Sequence, residues 1–153
     1  MQLGLLDVFI NAGASTFQVS DDALVNGNFA AAEYLVQRGA ALSLSTALCI
    51  GKWKEADLLA VDAKDDEKQL SLVLCSLNGK AEGVKRAISY GVHVSEPSRD
   101  LYSHATPLYH ATGSGSLDTV KVLVEGGAKM DIRDSVHDGT PLDWAEYLKK
   151  EDI

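Results

Sequence analysis

Apolar residues recur along this chain at helical spacing, between glycines that stand twelve positions apart. In one such segment Gly115 and Gly127 enclose Leu117, Val120 and Leu123, which fall three positions apart. This spacing places the three side chains on one face of a helix of about three turns, and the closing glycine suits the αL position that follows a last turn. Equivalent segments span residues 27–39, 51–63 and 79–91, the second of which closes with Ala63.

A shorter apolar segment precedes each of these helices. Its residue four places before the opening glycine is small in all four copies, and in three copies a leucine stands seven places before that glycine. A small side chain at a fixed position lets two helices approach closely, so each unit is predicted to be a pair of antiparallel helices. The small residues are Ala23, Ala47, Cys75 and Ala111, and the leucines are Leu44, Leu72 and Leu108.

Helix pairs that repeat along a chain are predicted to stack into a solenoid, because one pair cannot cover its own apolar face. We therefore expect a single domain over residues 1–153. Its units are a half-repeat at 1–16, repeats at about 17–41, 42–68, 69–104 and 105–138, and a half-repeat at 139–153. Two interpretations of the half-repeats remain open: they cap the array, or the chain is a piece of a longer one.

The C-terminal half carries the motifs of a known repeat. Residues 106–111 read TPLYHA, residues 139–145 read GTPLDWA, and SGSLDTVKVLVEGGAKMD lies between them. These segments resemble the ankyrin repeat. The resemblance implies an all-α solenoid of stacked helix-turn-helix repeats, with short β-hairpin fingers mainly in the C-terminal half. Tyr109 and Asp143 stand where the family usually has a histidine that ties neighbouring fingers together.

The Thr-Pro pairs of these motifs have a direct physical role. Thr106 and Thr140 are predicted to cap the short helices with their hydroxyl groups, and Pro107 and Pro141 suit a first helical turn, where no N–H donor is required.

Composition excludes several classes of function. The 153 residues are 46% apolar and carry a formal net charge of −8, which repels nucleic acid and anionic membranes. The first fifteen residues are apolar, but no Lys or Arg precedes Arg38, so a signal peptide is not expected. We expect neither nucleic acid nor membrane as a partner.

Candidate chemistry is sparse. Cys49 and Cys75 are expected to be reduced thiols within the core, which favours a cytoplasmic location. His104, His110 and His137 fall near Asp134 and Asp138, but without a known zinc spacing, so no metal or other cofactor is expected. The run at residues 65–67, Asp-Asp-Glu, is expected to form a solvated turn. No motif for catalysis or for a small-molecule substrate is present, which indicates a protein that is not an enzyme.

The resemblance instead implies a protein–protein interaction module that docks a partner protein on its fingers and concave face. The acidic balance favours a basic patch on that partner. Candidate contact residues lie in the last two full repeats and the half-repeat that follows them: Arg99, Leu101, Tyr102, His104, Tyr109, His110, Arg133, Val136, His137 and Trp144.

Four alternatives remain open. The chain is an inhibitor or immunity-type protein that blocks an enzyme, or the targeting segment of a larger multidomain protein whose catalytic part lies elsewhere. Otherwise it is a zinc-dependent hydrolase with its site on the finger side, or a scaffold without a defined binding face.

Overall fold

The computed structural model describes residues 3–13 and 19–148, and within these ranges the chain is helical. Inner and outer helices alternate along the chain. The inner helices are α2 (Val19–Val25), α4 (Leu44–Ile50), α6 (Asp65–Leu77), α8 (Pro107–Ser114) and α10 (Pro141–Tyr147). The outer helices are α1 (Leu3–Asn11), α3 (Phe29–Gln37), α5 (Trp53–Asp62), α7 (Ala81–Ser89) and α9 (Leu117–Glu125). The inner helices are the shorter ones, as the repeat pattern predicts, except α6, whose 13 residues make it longer than its outer neighbours.

Consecutive helices pair, and the pairs stack. Helix α2 packs on α3, α4 on α5, α6 on α7 and α8 on α9. The inner helices form a row in which α4, α6, α8 and α10 contact one another in turn, while α7 contacts α9 on the outer side. This is the all-helical solenoid that the repeats predict. None of its helices has the length and hydropathy needed to cross a membrane, as far as the described residues extend.

The small-residue positions lie where the inner helices meet their neighbours. Ala47, Cys75 and Ala111 are fully buried, and Ala23 is 8% exposed. The three predicted leucines are also buried, at 0–3% exposure. The small positions and leucines inferred from spacing are therefore confirmed as core residues.

One glycine in the core permits a close approach between helices that no spacing rule predicted. A Cβ atom at Gly83 of α7 would lie 2.8 Å from the carbonyl oxygen of Leu48 and 3.0 Å from the Cys75 sulfur. The first distance is too short for a side chain and the second is tighter than nearly all such contacts, so α7 rests directly on α4 and α6 at this point.

The predicted Thr-Pro caps are present. The Thr106 hydroxyl accepts a hydrogen bond from the Tyr109 N–H at 3.4 Å, and the Thr140 hydroxyl accepts one from the Asp143 N–H at 3.1 Å. The Asp143 carboxylate in turn accepts a hydrogen bond from the Thr140 N–H at 2.8 Å. The position where the family usually has a histidine therefore completes a capping box in the last repeat.

Two expectations differ from the structure. No β-strand occurs in residues 3–13 or 19–148, so the expected β-hairpin fingers are not found there, and the connections 90–106 and 126–140 are irregular loops. The acidic run at 65–67 is not a turn but the first turn of α6, which begins at Asp65. Carboxylates are favoured at a helix N-terminus because of its positive end charge.

The two cysteines are buried thiols on adjacent inner helices. Their sulfur atoms lie 3.5 Å apart, and no disulfide joins them. The hydrogen bond to Cys49 is the main cause that raises the pKa of Cys75, and burial is the second. Neither thiol is placed to react with a solvent-borne reagent.

Candidate partner-binding surface

Aromatic rings from the last two full repeats and the half-repeat after them meet in one group. They come from the loop before α8, from α8, from the loop before α10 and from α10. Neighbouring ring centroids lie 5.2–6.3 Å apart. We call this group the aromatic surface; its members are Tyr102, His104, Tyr109, His110, His137, Trp144 and Tyr147.

Trp144 is the centre of the aromatic surface. Its indole stacks on Tyr109 with the centroids 5.2 Å apart, and on Tyr147 with the centroids 5.2 Å apart. The ring of His137 stacks on it at 5.9 Å. Trp144 is half-buried, whereas Tyr147 is 74% exposed. The arrangement leaves flat aromatic area open to solvent on a rigid helix, as interface anchors require.

Tyr147 is a member that the sequence reasoning missed. It stands three positions after Trp144 on α10, so helical spacing puts both residues on one face. Tyr147 stands two positions after the GTPLDWA motif, so the motif itself does not point to it.

Tyr109 and His110 form the buried floor of the aromatic surface. Each is 6% exposed, so neither offers the open side chain expected of a contact residue. Burial is the main cause that lowers the pKa of His110 to about 4, with repulsion from His104 as the second. His110 is therefore neutral at physiological pH. Its Nε2 atom and the Tyr109 hydroxyl have no hydrogen-bond partner among the described residues.

Tyr102 and His104 form the side of this surface contributed by the loop before α8. Tyr102 lies against His110 with centroids 5.2 Å apart, and its hydroxyl donates to the Val25 carbonyl at 3.2 Å. It has a positive φ of 52°, which is strained for an aromatic residue. Tyr102 therefore fastens the loop to α2 besides contributing to the surface.

Asp134 organises the loop that carries Val136 and His137. Its buried carboxylate accepts hydrogen bonds from the backbone N–H groups of Val136, His137 and Gly139 at 2.7–3.1 Å. Desolvation raises the pKa of Asp134, but these three donors and the hydrogen bond with the His137 side chain together outweigh it and hold the pKa below its usual value. Val136 and His137 are consequently presented at the exposed end of an ordered turn.

The two loops are tied to each other directly. The Ser135 N–H donates to the His104 carbonyl at 2.9 Å. The neighbouring loops are thus joined by a backbone hydrogen bond, although Tyr109 stands where the motif usually has a histidine.

The remaining candidates lie apart from the rings or serve other roles. Leu101 is half-buried against the core. Arg99 is exposed and lines a polar groove of about 350 Å³ with Asp65, Asp66 and Glu96. Arg133 bonds the Asp138 carbonyl and lies 3.8 Å from Asp143, so its guanidinium is engaged with the loop itself.

Three acidic residues directly follow or precede ring-bearing residues in the sequence. Asp138, Asp143 and Glu146 are exposed, and Arg133 is already paired. Residues 106–153 contain nine acidic against five basic residues, a balance of −4. The surface is therefore aromatic in its centre and negative at its margin. No group of three or more His, Cys, Asp or Glu side chains with the proximity of a metal site occurs in residues 3–13 and 19–148.

Comparison with known proteins agrees with the repeat pattern. The family model described as ankyrin repeats (3 copies) matches residues 21–134 and, in an overlapping match, residues 72–153. A search of curated proteins finds no match.

Proposed function

This chain belongs to the ankyrin repeat family, and we propose that it binds another protein through the aromatic surface in its C-terminal part. Ankyrin repeats are in general protein–protein interaction modules and typically not enzymes. The single observation that carries the choice of surface is the stack of Tyr109, Trp144 and Tyr147, which is buried at one end and open to solvent at the other.

The chemistry of the surface favours a partner that presents arginine or lysine. Planar guanidinium groups stack on aromatic rings, and the gain is larger where both are partly desolvated. The exposed carboxylates of Asp138 and Glu146 add attraction at the margin and raise the association rate at low salt. We therefore propose a basic segment of the partner over Trp144 and Tyr147.

Preformed geometry supports binding without large rearrangement. The loop at 134–139 is closed by three bonds to Asp134, and α10 is fixed to α8 by ring stacking. A partner meeting such a surface orders few side chains of this chain, so little of the interaction energy is lost to ordering. The buried, unjoined thiols of Cys49 and Cys75 support the further proposal of a reducing compartment such as the cytoplasm.

The test is affinity capture with a variant designed to retain the fold. In Val136→Ser/His137→Ala/Tyr147→Ala all three changed residues are exposed, and the buried floor of Tyr109 and His110 is untouched. A matched control, Leu58→Ala/Val61→Ser, changes exposed apolar residues of the outer helix α5. Circular dichroism verifies that each variant is folded.

We expect a protein that the wild type and the α5 control retain, that the aromatic-surface variant loses, and that added salt releases. Equal retention by the aromatic-surface variant would contradict the proposed site. Loss in the α5 control alone would move the site to the outer helices.

A further inference from the structure

The two cysteines lie directly across from each other on two parallel inner helices. On α4, Cys49 stands four positions after Ser45, and on α6, Cys75 stands four positions after Ser71. The hydroxyl oxygens of the two serines are 2.9 Å apart, and the sulfur atoms of the two cysteines are 3.5 Å apart. Both pairs are separated by 26 positions in sequence, so α4 and α6 run parallel and meet in register at two consecutive layers of small side chains.

The two sulfur atoms are enclosed by the core. Cys49 is 5% exposed, and Cys75 is fully buried. A Cβ atom at Gly83 of α7 would lie 3.0 Å from the Cys75 sulfur, so α7 packs closely on that sulfur. A bulky adduct on Cys75 does not fit between α6 and α7, whereas the sulfur of Cys49 is already in contact with it.

We propose that Cys49 and Cys75 are a site of reversible oxidation, at which a low-molecular-weight disulfide such as glutathione disulfide converts the two thiols into an intramolecular disulfide that joins α4 to α6. The pair is reduced at the redox poise of a cytoplasm and becomes crosslinked when that poise turns oxidising. This site lies in the middle repeats and does not depend on partner binding at the aromatic surface.

The reaction is a thiol–disulfide exchange in two stages. The thiolate of Cys49, the less buried sulfur, attacks one sulfur of glutathione disulfide, forms a mixed disulfide and releases one glutathione thiolate. The Cys75 thiolate then attacks the Cys49 sulfur, forms the protein disulfide and releases the second glutathione thiolate. The two released thiolates take up the two protons that the cysteines lose, so two electrons pass from the protein to glutathione disulfide.

Helix packing controls both stages. Neither sulfur meets a solvent-borne reagent while α4 and α6 are packed, so the first stage requires a transient local opening of the kind that native proteins undergo. The hydrogen bond to Cys49 and burial raise the pKa of Cys75, so its thiolate is scarce until the pair opens. The mixed disulfide carries a tripeptide that the closed core does not hold. The helices therefore repack only when Cys75 has expelled it.

Mass spectrometry of the folded chain tests the site. The reduced protein is incubated with glutathione disulfide, alkylated under denaturing conditions and digested with trypsin. We expect a chain lighter by two hydrogen atoms and a linked pair of tryptic peptides, 39–52 and 69–80. The control is the same reaction in denaturing urea, where the two thiols are no longer held together. There we expect mixed disulfides with glutathione to be the larger share of the product.

Three results would overturn the proposal. The first is a folded chain whose main product is a mixed disulfide with glutathione, and the second is a disulfide between two chains. The third is a pair of thiols that stays unmodified at urea concentrations just below the unfolding transition, where local opening is frequent.

The stability of the chain supplies a second readout. A disulfide between Cys49 and Cys75 restricts the unfolded chain, so we expect oxidation to raise the equilibrium constant for folding by at least about tenfold in urea unfolding, and dithiothreitol to reverse the gain. In the control variant Cys49→Ser, stability is expected to be the same with and without glutathione disulfide. A crosslinked wild type no more stable than the reduced protein would show that the disulfide does not fit the packed helices.

Discussion

The indole ring of Trp144 lies nearly parallel to the phenol ring of Tyr109, with their centroids 5.2 Å apart and their planes inclined by 16°. Tyr109 belongs to α8 and Trp144 to α10, so the stack joins two consecutive inner helices. It fixes the last repeat to the one before it and forms the centre of the aromatic surface. Binding and stability are therefore linked at Trp144.

This coupling is measurable with a double-mutant cycle. We expect Tyr109→Leu, Trp144→Leu and the double variant to give an interaction energy of about 1 kcal/mol in urea unfolding, because stacked aromatic pairs contribute beyond their buried area. Additive effects of the two substitutions would show that the rings do not stabilise each other. Because of this coupling, the capture experiment uses Tyr147 rather than Trp144.

His110 makes the fold sensitive to acid. Its pKa of about 4 in the folded chain lies below the ordinary 6.5, so the unfolded chain binds the proton more readily. The contribution of neutral His110 to the free energy of unfolding is complete above about pH 6.5. It is lost as the pH falls toward about 4, and the total loss is about 3 kcal/mol. In His110→Phe the side chain at this position carries no charge at any pH. This variant is therefore expected to lose less stability than the wild type between about pH 6.5 and about pH 4.

Urea unfolding of both proteins at several pH values tests this. Carboxylates titrate over part of the same range in both, and their contribution cancels in the difference. Parallel stability curves for wild type and variant would contradict the assignment of His110.

Gly83 is a packing requirement of the core. An alanine there gains helix propensity of up to about 1 kcal/mol, but its Cβ meets the Leu48 carbonyl at 2.8 Å. Overpacking against backbone typically costs about 1–3 kcal/mol, so we expect Gly83→Ala to be net destabilising in thermal unfolding. Gly4→Ala is the control, since no atom lies within 4 Å of that Cβ position. A Gly83→Ala protein as stable as Gly4→Ala would refute the close approach.

Asp134 holds the loop of the aromatic surface through both carboxylate oxygens. In Asp134→Asn one oxygen still accepts from Val136 and His137, but the amide nitrogen faces the Gly139 N–H, donor against donor. We expect a loss of about 1–3 kcal/mol and Gly139 amide exchange faster by about tenfold or more. Asp138→Asn at the exposed neighbouring position is expected to change neither. Unchanged exchange at Gly139 in Asp134→Asn would contradict this role.

The helices and their core were accessible to sequence reasoning because burial in a repeat recurs at fixed offsets. Ala47, Cys75 and Ala111 were identified as core positions by one offset from a glycine, and all three are buried. The Thr-Pro caps at Thr106 and Thr140 were equally accessible, because capping is local to four residues.

The candidate site was less accessible because its loops depend on contacts distant in sequence. Tyr102 is held by Val25, which lies 77 positions away, and no local pattern carries that bond. The burial of His110 depends on the loop folded over it, so a residue predicted as an exposed contact is part of the floor. The prediction of a turn at residues 65–67 is wrong because a run of carboxylates suits a helix N-terminus as well as a solvated turn, and here it begins α6.

Trp144 supplies the most direct test of the proposed binding surface. The chain has two tryptophans, and Trp53→Phe leaves Trp144 as the single fluorescent indole. Titration of the captured partner into this variant is expected to shift the Trp144 emission and to reduce its quenching by iodide, with the same dissociation constant as an independent binding assay. Binding in that assay with unchanged Trp144 emission and quenching would contradict docking on the aromatic surface.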